Sequence, residues 1–277
     1  MFKLAMVQML VEGAQPEANR DRAQQRIATA AKAGAQVIVL PECMDVGWTH
    51  PETPRLAGTV PDGPTCTMLR QAARDHGVYV CSGLVERARD EVFNSAVLIG
   101  PDGDVLLLHR KLNELGIGHP FNGQGDRLGG AHTPLGCLGL MICADGFARD
   151  RVISRTLGYM GADVILSPSA WAVPPGHDNQ ATPYGQEWVD WYGPVAKDFR
   201  IFIAGISNVG RISAGPWEGW DCIGCSLLVG PNGQQLMNGR YGINADMILY
   251  ADIEPVARPA RGCGWGEVWD GASTGGG

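Results

Sequence analysis

Short apolar runs that stop abruptly at a polar residue, separated by stretches of helical periodicity, recur along most of this chain. Val37-Ile38-Val39-Leu40 ends at Pro41-Glu42, and Val105-Leu106-Leu107-Leu108 ends at His109-Arg110-Lys111. Leu138-Gly139-Leu140-Met141-Ile142 ends at Cys143-Ala144-Asp145. Continuous apolar runs of this length, bounded by turn signals, read as strands buried on both faces. Residues 16–33, with Ala23, Ile27, Ala30 and Ala31 on one side, predict an amphipathic helix. Residues 2–9 predict a strand before it. Pro64 to His76 predicts a second helix, closed by Gly77, and Val78 to Val85 the strand that follows. Phe93–Ile99 and Asp104–Leu108 flank Gly100-Pro101-Asp102-Gly103, a hairpin signal.

The second half has the same style. Strands are predicted at Leu138–Ile142, Val164–Leu166, Ile201–Ile206 and Met247–Ile253, and helices at Arg151–Met160 and Gln186–Phe199. Leu227–Val229 and the segment after Gly233 form another hairpin around Pro231-Asn232-Gly233. Helix–strand alternation broken by hairpins requires mixed sheets with helices on their outer faces. One glycine–proline hairpin per half points to a duplicated architecture, without any short-period repeat. From Pro255 the composition shifts to Gly, Pro and Trp. Residues 255–277 are read as an extended arm whose Trp265 and Trp269 suit a subunit contact.

Composition narrows the function classes. A chain of 277 residues buries about three quarters of its unfolded surface. It therefore needs neither metal nor disulfide to hold a core. The net charge is −7 with no basic run, which argues against nucleic acid or an anionic membrane as a partner. No apolar stretch approaches the roughly 20 residues that a bilayer demands, and the N-terminus lacks the features of a signal peptide. A cytoplasmic protein is expected. The eight cysteines are then free thiols rather than a disulfide framework. Cys81 and Cys137 fit the core. Cys222-Ile223-Gly224-Cys225 has the spacing of a zinc or redox pair, but no second pair completes a four-thiolate site.

A carboxylate, an ammonium and a thiol, each following an apolar strand, can meet at one sheet edge, where open α/β folds place their chemistry. A thiol ordinarily has a pKa of about 8.5 and needs a base to attack an amide. A fixed ammonium can stabilise the oxyanion that forms. Glu42, Lys111 and Cys143 supply these three functions. On spacing alone, each keeps a structural alternative: a capping or surface carboxylate, a solvated basic turn, and a buried core thiol.

Taken together, these residues carry a resemblance. Leu40-Pro41-Glu42, Phe93-Asn94-Ser95 running to Gly100-Pro101-Asp102-Gly103, His109-Arg110-Lys111, Ile142-Cys143-Ala144-Asp145 and Gly224-Cys225-Ser226 running into Gly230-Pro231-Asn232-Gly233 resemble the nitrilase superfamily, the carbon–nitrogen hydrolases. The resemblance spans roughly residues 2–254, so a hydrolase domain is expected over 1–254. It implies an α/β fold, a four-layer αββα sandwich of two mixed β-sheets. It implies Glu42 as general base, Lys111 as transition-state stabiliser and Cys143 as nucleophile, with the Ala144 backbone N–H in the oxyanion hole. The family reaction passes through a cysteine thioester, needs no metal or organic cofactor, and is commonly carried out by homodimers or higher homo-oligomers.

Many members use a second glutamate after the lysine. Glu114 is the nearest candidate here, with a surface carboxylate as the alternative. True nitrilases usually carry Trp-Glu after the cysteine. Ala144-Asp145 looks more like the amidase and carbamoyl-hydrolase branches, so a small amide or N-carbamoyl substrate is expected rather than a nitrile. Trp171, closing Ser167-Pro168-Ser169-Ala170-Trp171, borders the site in the implied fold and is a candidate substrate contact. Trp188 and Trp191 read as core residues of a helix. A ligand-binding protein without catalysis on the same fold, and a thiol redox protein acting through Cys222 and Cys225, are the competing classes.

Overall fold

The computed structural model describes residues 1–257. Two six-stranded mixed sheets dominate it. In the first, the strands Phe2–Gln8, Val37–Val39 and Tyr79–Ala88 run parallel side by side. Glu91–Ile99 and Val105–Arg110 continue the sheet antiparallel, and Met247–Ile253 lines the other flank of Phe2–Gln8. In the second, Gly136–Leu140, Val164–Ser169 and Phe202–Ser207 are the parallel trio. Leu227–Val229 and Gln235–Asn238 continue it antiparallel, and Gly130–Thr133 flanks Gly136–Leu140.

The two sheets thus share one strand order and the same helical crossovers, but the flanking strand differs: Met247–Ile253 follows all the others in sequence, whereas Gly130–Thr133 runs directly into Gly136–Leu140. Each parallel step crosses over through a helix: Pro16–Lys32 and Pro64–His76 in the first half, Val152–Met160 and Gln186–Phe199 in the second. The hairpin turns match as well. Gly100 N–H donates to Asp104 O and Gly230 N–H to Gln234 O, both at 2.9 Å, and Gly103 and Gly233 both take φ of 80°. That backbone conformation is open to glycine without a Cβ penalty.

Strand alternation explains the layering. Phe2, Leu4, Met6, Val37 and Val39 share one core with Leu138, Leu140, Val164 and Leu166 of the other sheet. The intervening Ala5, Val7, Ile38 and Leu40 pack instead against Ala23, Ile27 and Ala30 of one helix and Leu69 and Ala73 of the next. Side chains of opposite parity face opposite layers, and the result is a four-layer α/β sandwich. Helix Pro64–His76 begins on proline and ends at Gly77, whose φ of 62° closes the last turn.

Three features depart from expectation. Gly130–Thr133 pairs as an edge strand although it lacks an apolar run. Ala172–Val173, Val209–Arg211 and Asp221–Ile223 build a small third sheet from segments too short to show a period. The strand that leads to the thiol is Gly136–Leu140, not Leu138–Ile142. Among the described residues no helix is long and apolar enough to cross a membrane. Trp265 and Trp269 lie outside the described residues.

Candidate active site

Glu42 follows strand Val37–Val39, and Lys111 follows directly on strand Val105–Arg110, both in the first sheet. Cys143 follows Gly136–Leu140 in the second. The expectation of one shared sheet edge is therefore corrected: the three residues meet between the two sheets. A sandwich has two sets of strand ends facing each other, a geometry that a strand-by-strand reading does not contain.

Lys111 Nζ lies 2.8 Å from Glu42 Oε1 and 2.9 Å from Glu114 Oε1, with all three side chains almost wholly buried. Asn94 ties the two carboxylates together, its Nδ2 donating to Glu42 Oε1 at 2.7 Å and to Glu114 Oε2 at 3.2 Å. Asn122 Nδ2 and the Leu115 N–H also donate to Glu114. Each buried charge thus has charge-assisted partners, without which it would cost several kcal/mol. Burial pushes Lys111 towards neutrality, but the carboxylates of Glu42 and Glu114 hold its pKa well above the ordinary lysine value. Burial, reinforced by Glu114, raises the Glu42 carboxyl despite the opposing pull of Lys111.

The backbone is pinned from several sides. Gly83 N–H donates to Pro41 O at 3.0 Å, and a Cβ on Gly83 would lie 2.5 Å from Glu42 Cα. Only glycine lets the two segments approach so closely. On the lysine side, Arg110 grips buried Glu86 with two hydrogen bonds of 2.8 and 2.7 Å, and the Lys111 N–H donates to Asn94 O.

Cys143 opens a 3₁₀ turn, Cys143–Phe147, at a φ of 43°. A left-handed non-glycine residue at the junction of strand and helical turn projects its side chain out of the sheet, at a cost of about 1–3 kcal/mol. Cys143 is 9 % exposed, against 1 % for Cys43 and 3 % for Cys222. Burial and the nearby Glu42 carboxylate raise its pKa far above the ordinary thiol value, so the resting sulfur is protonated beside that carboxylate. The Ala144 N–H lies in the first turn, where no intrahelical acceptor exists.

Asp145 joins the two halves of the site. Its Oδ2 accepts from Ile142 N–H and bonds His109 Nε2, both at 2.8 Å. Its Oδ1 accepts from the N–H groups of Leu112 and Asn113, at 3.0 and 2.7 Å. Asn113 Nδ2 adds a bond to Ala144 O. The loop carrying the lysine and the turn carrying the thiol therefore share one carboxylate. Burial would raise Asp145, but the His109 bond and the backbone donors hold it below the usual aspartate range.

Glu42, Lys111, Cys143 and Ala144 line a cavity of ≈ 180 Å³ whose remaining walls are Trp48, Leu115, Phe147, Ala170, Trp171, Ala172, Tyr184, Trp188 and Trp217. Trp171 stacks on Trp188, ring centroids 4.5 Å apart. Trp188 is thus a cavity wall as well as the core residue its helical spacing predicts. Sequence reasoning singled out neither Asn94 nor the pairing of His109 with Asp145. A buried asparagine inside a strand, where that residue is disfavoured, was the available signal for the first. Burial pushes the Cys222 and Cys225 thiols up to about 12, and neither is in a disulfide. Among the described residues no group of three or more His, Cys, Asp or Glu side chains could hold a metal ion.

Comparison with known proteins identifies the family and the fold. The family model described as Carbon-nitrogen hydrolase matches residues 3–261. A protein named Nitrilase from Pyrococcus abyssi is 34% identical over 241 residues, covering 85% of this chain and 84% of the relative. Omega-amidase NIT2-A of Xenopus laevis is 30% identical over 263 residues, covering 91% and 88%. Among solved structures, a mutant amidase from Nesterenkonia sp. AN1 with acrylamide added at its active-site cysteine superposes with a TM-score of 0.77 at 21% identity, covering 97% of this chain and 100% of that one. Saccharomyces cerevisiae Nit3 gives 0.78 at 21% identity, covering 92% and 90%.

Proposed function

We propose that this chain, which belongs to the carbon–nitrogen hydrolase family, is an amidase that cleaves the C–N bond of a small amide or N-carbamoyl compound through a thioester on Cys143. The observation that carries the proposal is the meeting of Glu42, Lys111 and Cys143 on one cavity. Glu42 takes the Cys143 proton as the sulfur attacks the carbonyl carbon. The oxygen, now negative, is held by Lys111 Nζ and the Ala144 N–H. Collapse breaks the C–N bond, and Glu42 returns the proton to the leaving ammonia or amine. Water then attacks the thioester, gives a proton to Glu42, and releases the acid and the free thiol. Glu114 keeps Lys111 charged and placed, and Trp171 bounds the substrate.

Residues 1–254 form the hydrolase domain in this proposal, and 255–277 an arm that contributes to a homodimer or larger homo-oligomer. The small Ala144 on the cavity wall favours an amide over a nitrile. The test is a panel of amides, N-carbamoyl compounds and nitriles against the parent chain and Cys143→Ala. Loss of all turnover in a folded variant, with amides preferred in the parent, is the expected result. Retained amide turnover in Cys143→Ala would remove the mechanism, and preferred nitrile turnover would move the chain to the nitrilase reaction.

A further inference from the structure

The cavity's charge distribution bears on the acyl group. Its one cation, Lys111, is already held at 2.8 and 2.9 Å by two carboxylates, which leaves the cluster with one negative charge in excess. Of the cluster, Glu42 and Lys111 line the cavity and Glu114 lies behind the lysine; among the described residues no other charged side chain is in the wall. The donors left in its walls, the indole N–H groups of Trp48 and Trp171 and the Tyr184 hydroxyl, are neutral, and Tyr184 already accepts a bond from Trp188 Nε1 at 3.0 Å. The rest of the surface is aromatic or aliphatic. At ≈ 180 Å³ the space equals about six water molecules of ~30 Å³ each.

A short acyl chain ending in a carboxylate would bring that charge into a largely aromatic space beside the fixed Glu42 carboxylate, with Lys111 already paired. An unpaired buried charge costs several kcal/mol, and a neighbouring like charge adds to it. An uncharged apolar group of the same length loses only water and gains contact with the indole faces. We infer that the substrates of this site are amides with small, uncharged, apolar acyl groups, and that amides bearing a carboxylate at the far end of the acyl chain are rejected. The inference rests on the amidase proposal and narrows it.

Butyramide and succinamate share a four-carbon backbone and differ at the far end, a methyl group against a carboxylate. Ammonia release by the full chain at neutral pH gives kcat/KM for each. Butyramide is expected to exceed succinamate by about a hundredfold, the scale set by an uncompensated buried charge. Equal or better turnover of succinamate would overturn the inference and leave the amidase proposal standing. Failure to hydrolyse either compound, or any other amide, would overturn both. Leu115→Arg places a cation on the cavity rim, where Leu115 is 37% exposed. In the folded variant the succinamate-to-butyramide ratio is expected to rise by about tenfold, the worth of a partly exposed charge pair. An unmoved ratio would show that charge does not set the preference.

Discussion

Glu114 Oε1 and Lys111 Nζ are 2.9 Å apart, three residues from each other in sequence and both buried. A one-turn separation would ordinarily put such a pair on a solvated surface. Here the carboxylate also takes hydrogen bonds from Asn94 and Asn122, so it is fixed as firmly as the lysine. Glu114→Ala removes one of the two anions that hold Lys111 charged. We expect kcat to fall by about a hundredfold, on the scale of losing one oxyanion-stabilising donor, with a smaller change in KM. Steady-state kinetics on the folded variant checks this. An unchanged kcat would return Glu114 to a structural role.

The pH profile follows from the cluster. In the proposed reaction Glu42 must be ionised to accept the thiol proton, so activity should fall as pH drops through its pKa. Burial and Glu114 raise that pKa, so the acid limb of kcat/KM should have its midpoint above the ordinary glutamate value of about 4.3. Lys111 is held well above the ordinary lysine value, so its deprotonation sets no limb near neutrality. A pH–rate curve with its midpoint at or below the ordinary value, or an unaltered limb in Glu42→Gln, would count against this assignment of the base.

Thiol labelling separates Cys143 from the rest. Cys43 is 1 % exposed and burial raises its pKa, Cys66 is pushed up to about 11, and Cys222 and Cys225 up to about 12. Cys143 is itself protonated at rest, but among the thiols of the described residues it alone lines the cavity, beside the Glu42 carboxylate. Iodoacetamide followed by peptide mass spectrometry should mark Cys143 first. Glu42→Gln should slow that step by about tenfold or more, as loss of general-base assistance does. Equal rates at Cys43 or Cys222 would refute the assisted thiol.

Much of this was legible before any coordinates, and the reasons are local. Apolar runs ending at Glu42, Lys111 and Cys143 mark strands by their shortness and their polar bounds, and the Pro64 and Gly77 signals bracket a helix over the residues where it forms. What escaped was non-local. Nothing in the spacing of His109, Asn113 and Asp145 announces that one carboxylate will bind backbone on both sides of the site. Nor can a strand-by-strand reading tell that Glu42 and Lys111 leave one sheet and Cys143 the other. The small third sheet escaped because strands of two or three residues show no alternation.

Gly83 offers a test of how tightly the base is placed. An added Cβ would meet Glu42 Cα at 2.5 Å, Pro41 O at 2.7 Å and Cys43 N at 2.9 Å, all of them backbone atoms that cannot rotate aside. Gly83→Ala should cost about 1–3 kcal/mol of stability, as overpacking does, and should lower kcat by displacing Glu42. Gly58→Ala, where an added Cβ meets only ordinary contacts of 3.6 Å or more, is the control for a glycine-to-alanine change without overpacking. Equal activity in the two variants would mean that the segment carrying Glu42 yields without consequence.

Asp145 couples stability to the same geometry. Its carboxylate holds His109 and three backbone N–H groups in a site that is fully buried. Asp145→Ala leaves those donors unsatisfied, at a cost of about 3–5 kcal/mol, and frees the Lys111 loop from the Cys143 turn, so kcat should fall with stability. The folded-state pKa of Asp145 lies below the unfolded one, so its contribution is present above the ordinary aspartate range. It is lost as pH falls through the lowered value. Urea midpoints of the parent and Asp145→Ala, measured from neutral pH downward, should therefore converge only below that range. Convergence already near neutrality would mean that Asp145 is not ionised in the folded protein, and the clamp would have to be redrawn with a neutral acid at its centre.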